Sequence, residues 1–534
     1  MNKLFERLVS KRGISEDFLH PKYEELIDPF LLPDMEPAVQ RIKKAVDDQE
    51  KVLIYGDYDV DGVTASTLME EALDLAGIKQ IDIMLPDRFA DGYGMSPKII
   101  ERAKNFGATL VVTVDCGSGN KEIIAELTEQ GIDTIVTDHH ECTKELPEAV
   151  AVVNPKRKDY ENKMVRELAG VGVAFKVAQG LVRSGLIADG REKWMLDLVL
   201  IGTICDSMPL LDENRILGFY GVKVLEKTRR MGLLELMKSA KVSRLNSESI
   251  GFQIGPRLNA AGRIDSAELA LNLLRAKSRA EAAELAVKLE ELNKQRKTEQ
   301  NNAILEIKKR GVGDEPVIIE TGEWHEGILG IVAGRLVEDY HRPAFVLSEV
   351  SDGVFKGSGR SFGDFSLAEA LANCNESIIN GGGHAGAAGV KVFSEKMWEF
   401  REKINDYYRS LKLAEQENYF QEKEDLVVEN VGELSLDFWE ELKLLEPFGE
   451  GNHEPIFLLQ DIEINEVRKM GAEGNHLCLI VAGKDGQTMK LIAFSAPEKW
   501  FEISPYEKKN ILIKLMENEW NGIRSIEGRI LEIF

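Results

Sequence analysis

The sequence predicts an α/β protein: a doubly wound parallel sheet, a long connecting helix, a second and smaller α/β domain, and a C-terminal β-domain. Three observations carry that prediction. Between Lys51 and Pro155, short apolar runs alternate with helical stretches. From about Ser266 to Arg310 a helical pattern continues almost without a breaker, longer than an ordinary globular helix. Beyond residue 425, short alternating runs such as HLCLIVAG, MKLIAFS and NILIKLM are separated by turn residues.

Residues 1–50 read as a polar, helical N-terminal extension broken at Pro29 and Pro33. Residues 51–225 form the parallel-sheet domain, with KVLIY, IDIML, TLVVTVD, DTIVTD and VAVVNP as its strands. The helical stretches between the first four are TASTLMEEALDLAG, SPKIIERAKNFG and NKEIIAELTEQG. They end in Gly77, Gly107 and Gly131, the residue type that most readily adopts the left-handed helix stop. GVGVAFKVAQGLVRSG and WMLDLVLIGTICDSMPL are apolar enough to be buried helices closing this domain. Residues 226–310 are a connecting helical region that ends in one long helix or a helical pair. Residues 311–412 hold the second α/β domain, with EPVIIE, GILGIVAGRLVEDY, PAFVLSE and the loop GGGHAGAAGV. LKLAEQENYFQEKED, residues 411–425, is charged and poor in aliphatics and marks a boundary. Residues 425–534 form the β-domain.

Composition limits the function classes. A chain of 534 residues predicts two to four domains, and 43% hydrophobic with 30% charged residues is ordinary for a soluble globular protein. No run of eighteen apolar residues occurs, so no membrane helix is expected. The N-terminal MNKLFERLVSKRG scatters charge and lacks an apolar signal core, which predicts a cytoplasmic protein. Cys116, Cys142, Cys205, Cys374 and Cys478 are far apart and include no C-x-x-C pair, pointing to a reducing compartment and away from a zinc knuckle. The net charge of −24 repels polyanions at long range. A nucleic-acid substrate therefore requires metal ions and a local basic groove that outweigh the global charge.

The stretch YGDYDVDG places Asp57, Asp59 and Asp61 at every second position after an apolar run. If strand geometry persists past Tyr55, the three carboxylates line one side. Carboxylates that close repel one another unless a cation lies between them; alternatively, the stretch is an acidic turn whose Asp61-Gly62 caps the following helix. TLVVTVD ends at Asp115, DTIVTDHHE ends its run at Asp138, His139 and His140, and LIGTICD ends at Asp206. In a parallel doubly wound sheet the strand C-termini share one edge, so Asp57, Asp59, Asp61, Asp115, His139 and His140 converge there, and the following helix must bring Asp206 round. A set of carboxylates with one or two imidazoles suits a pair of divalent cations, Mn2+ before Mg2+, whereas zinc expects Cys or more His. Two such ions about 3.5–4 Å apart activate water and stabilise displacement at phosphorus.

These motifs resemble the DHH phosphoesterase superfamily, and within it the bacterial RecJ-type single-strand-specific 5′-exonucleases. The likeness rests on GDYDVDG (Gly56–Gly62), VTVDCG (Val112–Gly117), VTDHHE (Val136–Glu141) and GTICDSMPL (Gly202–Leu210). It continues through GPRLNAAGR (Gly255–Arg263), WHEGILGIVAGRL (Trp324–Leu336), GSGRS (Gly357–Ser361), GGGHAGAAG (Gly381–Gly389) and LEPFGEGN (Leu445–Asn452). The resemblance implies that Asp59, Asp61, Asp115, His139 and Asp206 ligate two metal ions. Asp57 is a ligand or a carboxylate behind the ligands; His140 contacts the scissile phosphate or orients a ligand. Cys205 and Met208 stand where the family is expected to carry small or aliphatic residues. The resemblance further implies a DHHA1-like second domain and an OB-like terminal barrel, single-stranded DNA as substrate, and a helicase and a single-strand-binding protein as partners of a monomeric enzyme.

Outside the metals, the glycines of GGGHAGAAG allow close backbone approach. Consecutive N–H groups there, with Gly382 and Gly383, can form an anion nest, and His384 can donate to a phosphate, the alternative being a surface turn. Arg360, between small residues and with Ser358, can hold a phosphate two-pronged, and the resemblance implies a 5′-phosphate pocket that Arg88 completes. Arg88 alone is as readily an ion-pair partner of Asp87 or Asp91. Arg257, Asn259 and Arg263 form the lip of the substrate channel, although any one arginine there can be structural. In the terminal domain Trp500, Phe501 and Trp520 are stacking candidates beside Lys508, Lys509 and Arg524, or else core aromatics.

Two enzymatic readings and one non-enzymatic reading follow. The first is metal-dependent 5′→3′ hydrolysis of single-stranded DNA in repair and recombination. The alternative keeps the site and changes the substrate to oligoribonucleotides or cyclic dinucleotides, but such relatives usually lack the long helix and the terminal β-domain. A non-catalytic scaffold would have lost metal ligands, and none is missing.

Overall fold

The run KVLIY forms strand β1, Lys51–Tyr55, in the computed structural model, and the four later runs become β2 (Gln80–Met84), β3 (Leu110–Val114), β4 (Asp133–Thr137) and β5 (Ala151–Val153). All pair in parallel, in the order β2-β1-β3-β4-β5. The chain therefore winds outward in both directions from β1, and the switch point lies between β1 and β3, where open α/β sheets bind ligands. The structure describes residues 2–92, 94–142, 145–413, 423–471, 474–484 and 486–534. Tyr93 of LPDRFADGYG and residues 414–422 of the expected boundary segment lie outside them.

Helices cover both faces of this sheet, as a buried parallel sheet requires. Leu53, Tyr55, Val111 and Val136 pack with Ile99 and Ile124 of the helices Lys98–Phe106 and Lys121–Glu129. The helices Val60–Ala76, Gly170–Arg183 and Leu196–Cys205 pack together and are buried over most of their length, as their apolar sequences predict. Gly77, Gly107 and Gly131 all have positive φ at helix ends. The long helical pattern is a pair: Glu268–Arg275, then Arg279–Arg310, whose start is capped by the Ser278 hydroxyl accepting from the Glu281 N–H. At 32 residues the second helix is about 48 Å long.

The second sheet contains β6 (Ile318–Gly322), β7 (Ala344–Ser351), β8 (Val354–Arg360), β9 (Asn380–Gly383) and β10 (Ala387–Phe393), in the order β6-β7-β8-β10-β9. Only β6 and β7 are parallel. The expected glycine-rich loop is thus a hairpin: Gly381, Gly382 and Gly383 pair with Val390, Gly389 and Ala388.

The C-terminal strands are β11 (Leu426–Val428), β12 (Phe457–Met470), β13 (His476–Ala482), β14 (Thr488–Ala493), β15 (Lys508–Trp520) and β16 (Ile523–Ile533). Pairing of β12 with β15 closes β12-β13-β14-β16-β15 into a five-stranded barrel of the OB kind. The expectation of an antiparallel domain holds for most pairs, but β14 runs parallel to β16 and β11 to β12.

Contacts divide the chain into two units that cut across the expected segments: Asp28–Asp206 with Val224–Phe420, and Met1–Ile27 with Ser207–Lys223 and Gln421–Phe534. The 1–50 extension is split because Leu4, Phe5, Leu8 and Leu19 bury themselves with Phe438, Trp439, Phe457 and Ile511 of the C-terminal region. Residues 207–223, expected in the parallel-sheet domain, join the same unit through Arg215. Its buried guanidinium donates to the carbonyls of Phe18 (3.0 Å), Leu444 (2.8 Å), Leu445 (3.1 Å) and Glu446 (2.6 Å), and lies 4.3 Å over the Phe18 ring.

Candidate metal centre

Strand β1 stops at Tyr55, so strand alternation does not align the three aspartates. A tight turn into a helix brings them together instead. Gly56 faces the Ser66 hydroxyl so closely that a Cβ would lie 2.0 Å from it, and a Cβ on Gly62 would lie 2.4 Å from the Asp57 carbonyl oxygen. Asp57 is buried in the turn. Asp59 caps the helix Val60–Ala76, its carboxylate accepting from the Gly62 N–H at 3.1 Å. Asp61, in the first helical turn, accepts from the N–H groups of Gly170 (2.6 Å) and Val171 (2.9 Å) at the start of the helix Gly170–Arg183. The cap is thus Asp59 and not the expected Asp61-Gly62, because the helix already starts at Val60; Asp59 belongs to the cluster as well.

The other members arrive from neighbouring strand ends. Asp115 follows β3 with φ at 60°, a left-handed conformation that costs a non-glycine residue roughly 1 kcal/mol or more. A Cβ on Gly170 would lie 2.5 Å from the Asp115 Cβ, so only glycine lets that helix start against it. His139 follows β4, and Asp206 caps the C-terminus of Leu196–Cys205. Cys205 has a local reason: a Cβ on Gly255 would lie 2.4 Å from its Sγ, so the thiol packs directly on that backbone.

Three sets of ligand atoms each fall within 4.8 Å of one another: Asp57, Asp59 and Asp115; Asp61, His139 and Asp206; and Asp115, His139 and His140. His139 Nε2 lies 3.0 Å from Asp115 Oδ1, 3.6 Å from Asp206 and 3.7 Å from Asp61. Asp57 Oδ1 is buried and accepts no hydrogen bond. Burial, then mutual repulsion, raises Asp57 and Asp115 well above the usual carboxylate range; the same causes push Asp61 up to about 7 and Asp206 up to about 8. Burial, then His140, lowers His139 to about 3, which keeps its imidazole neutral as a ligand must be. The donor set fits divalent cations: it is oxygen-rich, has one imidazole, lacks thiolate and holds an orphaned carboxylate oxygen.

Asp138 stands apart from this set. Its carboxylate accepts from the N–H groups of Ser118 (2.9 Å), His139 (2.8 Å) and His140 (3.1 Å), and from His140 Nδ1 at 2.8 Å. Burial opposes its charge, but the His140 bond, the charges of both histidines and the Ser118 N–H together outweigh it and keep Asp138 ionised; burial likewise opposes the His140 charge, and the Asp138 bond and charge together raise it. Reading the sequence for ligands passes over this role, although the residue's place immediately before two histidines at a strand end signals it.

Two predicted phosphate contacts, Arg88 and Arg360, share one region with Arg263 of the predicted channel lip. Arg88 lies 5.0 Å over the Tyr58 ring, Arg263 donates to the Gly327 carbonyl at 3.2 Å, and Arg360 donates to Ser358 Oγ at 3.1 Å. Burial, then Arg88 and Arg360, lowers Arg263 to about 9, so the three guanidiniums lie within electrostatic reach of one another. Among the described residues none of the three has a carboxylate within 4.0 Å, and Arg88 does not pair with Asp91, which binds Lys98. A Cβ on Gly330 would lie 2.9 Å from the Arg360 guanidinium, so a glycine admits the arginine beside the helix Leu329–Tyr340.

Other predicted contacts are placed differently. Arg257 pairs with Glu290 and donates to the Gln253 carbonyl, tying the helix Gly255–Ile264 to the long helix, while Asn259 on the same helix is half-buried. Gly382 and Gly383 are exposed on the edge strand β9, and His384 is exposed in the turn. A paired edge strand leaves only alternate N–H groups outward, so a nest of consecutive donors does not form. In the barrel, Trp500 belongs to the core, Phe501 packs against it, and Trp520 is 74% exposed at the tip of β15–β16. Lys508, Lys509 and Arg524 pair with Asp461, Glu507 and Glu517, so these three do not make an open basic groove.

Comparison with known proteins agrees in segment order. Residues 51–203 match the DHH family N-terminal domain, 314–410 the DHHA1 domain and 427–532 the RecJ OB domain. The single-stranded-DNA-specific exonuclease RecJ of Bacillus subtilis is 37% identical over 97% of this chain and 66% of its own length; that of Haemophilus influenzae is 33% identical over 98% and 95%. The crystal structure of RecJ in complex with Mn2+ from Thermus thermophilus superposes with a TM-score of 0.85 at 28% identity, covering 100% of this chain and 76% of that one. The Mg2+ complex from the same organism gives 0.78 at 26%, covering 100% and 74%. With three family segments in order and near-complete coverage by the Haemophilus relative, the chain belongs to the RecJ family of the DHH superfamily.

Proposed function

We propose that the protein is a divalent-metal-dependent exonuclease that hydrolyses single-stranded DNA from its 5′ end in repair and recombination. The observation that carries this reading is the convergence of buried Asp57, Asp61, Asp115 and His139 with half-buried Asp59 and Asp206 at the switch point of a parallel sheet. Asp57, Asp59 and Asp115 would hold one ion and Asp61, His139 and Asp206 a second, with Mn2+ and Mg2+ the ions of the matching structures. Bound there, the ions supply the positive charge that the carboxylates lack and the Lewis acidity that phosphodiester hydrolysis needs.

The chain's own groups do the rest. Arg88, Arg263 and Arg360, with Ser358, bind the terminal phosphate and fix the strand's polarity. Asp138 holds one ring proton of His140, which leaves the other ring nitrogen to donate to a phosphate oxygen. These cations and the ions answer the charge of −24 locally, so binding should weaken steeply with salt. The substrate would reach the enzyme from a helicase and a single-strand-binding protein in the cytoplasm, a setting consistent with five free cysteines.

The test is degradation of labelled single-stranded DNA, duplex DNA, RNA and a dinucleotide, with Mn2+ and with EDTA. Metal-dependent release of nucleotides from the 5′ end of the single strand is expected. Equal rates on duplex, or activity confined to the dinucleotide, would reject the reading.

A further inference from the structure

The helices that carry Asp61 and Asp206 also form a second pocket at their far ends. The helix Val60–Ala76 begins at the metal centre, and Glu71 lies ten residues beyond Asp61, about 15 Å along the axis. The helix Leu196–Cys205 packs against it and ends at the centre, with Asp197 in its first turn about 14 Å away from Asp206. Around Glu71 and Asp197 lies a cavity of about 260 Å³, completed by Arg191, Trp194, Arg229 and Arg230.

Its floor is a hydrogen-bonded network. Arg230 donates to Glu71 at 2.6 Å and to Asp197 at 3.1 Å, and Thr228 adds a 2.7 Å bond to Asp197, so both floor carboxylates are hydrogen-bonded and share one guanidinium, and the positive charge of the pocket is confined to its rim. Trp194 is 42% exposed on the wall, with the Arg229 guanidinium 4.8 Å over its ring. Among the described residues, neither Arg191 nor Arg229 has a carboxylate within 4.0 Å. An exposed tryptophan flanked by two uncompensated arginines is an unusual outlay in a chain of net charge −24. Trp and Arg are the residues that dominate binding energy at protein interfaces.

We propose that this pocket is a docking site for an acidic peptide segment of a partner protein, whose apolar side chain enters against Trp194 while its carboxylates meet Arg191 and Arg229. A nucleic-acid strand fits less well. Its charges are spread along a backbone and call for an extended basic track, whereas here two cations crown one small cavity with carboxylates beneath. The proposal does not depend on which substrate the metal centre cuts.

The test is fluorescence anisotropy with the full chain and a fluorescein-labelled peptide of three Asp-Asp-Phe repeats, with its Lys-Lys-Phe counterpart and a short oligo-dT as controls. The acidic peptide should bind, at least tenfold more weakly to Arg191→Glu/Arg229→Glu and at least fivefold more weakly to Trp194→Ala, at unchanged melting temperature. Oligo-dT binding should be the same in all three proteins. The proposal is overturned if the wild-type chain prefers or equally binds the basic peptide, if the variants keep the acidic peptide, or if they lose oligo-dT instead.

Discussion

The centre's residues divide into those that offer ligand atoms and those that aim them, and substitution should separate the two. Asp59→Ala and His139→Ala are expected to abolish cleavage of labelled single strands while leaving near-UV circular dichroism intact; loss of cooperative folding would mark a structural role instead. Asp138→Asn should lower turnover about 10–100-fold at unchanged metal content, because the His140 imidazole loses the carboxylate that aims it. The raised aspartates also predict a pH effect. Ordinary aspartates titrate near 4, whereas Asp61 reaches about 7 and Asp206 about 8. Between roughly pH 4 and 8 the folded, metal-free chain thus holds protons that the unfolded chain has released, and its stability falls as pH rises. Melting in EDTA at pH 5, 6.5 and 8 should show that decline, Asp206→Asn should flatten it, and added Mn2+ should reverse most of it at pH 8. Much of this site is readable in the sequence, since Asp57, Asp115, Asp138 and Asp206 each close an apolar run, whereas Asp59 and Asp61 are placed by a tight turn into a helix and not by the expected strand alternation. What the sequence hides is direction: Asp138 and His139 are neighbours, yet one carboxylate closes on backbone N–H groups while the next side chain enters the cluster.

Among elements, the helices that converge on the centre are seated by missing side chains. Gly170 and Gly202 give the clearest case, since Cβ atoms there would lie 2.5 Å from the Asp115 Cβ and 2.8 Å from Asp61 Oδ1. Gly170→Ala and Gly202→Ala should each destabilise by about 1–3 kcal/mol, measured by urea unfolding, and weaken Mn2+ uptake; neutral behaviour would mean the helices shift freely. Strand and helix periodicity made most elements legible, and three glycines marked helix ends. Two features escaped. A helical pair is one expectation of the sequence, but the place of the break between Arg275 and Arg279 is unmarked, because it contains neither Gly nor Pro and depends on the Ser278 cap. The glycines of GGGHAGAAG resemble a loop by composition, but their pairing with β10 makes them an edge strand, which local sequence does not encode.

Across the whole molecule, sequence order and spatial order part company. The run from Leu4 to Leu19 carries an apolar pattern but no mark of its partner, some 420 residues away, and no local pattern marks Arg215 as a guanidinium buried among carbonyls. Arg215→Ala should therefore cost about 3 kcal/mol or more, because at least four carbonyls lose their donor in a buried place. Thermal unfolding checks this, and a change below about 1 kcal/mol would show that water replaces the guanidinium. The chain passes between the two units after Ile27, Asp206, Lys223 and Phe420. Neither unit can thus be cut away as a terminal cassette. Scission at a protease site inserted after Leu413 should leave two fragments that co-elute in native buffer and part only in denaturant, while a gene shortened to the same point should yield insoluble protein.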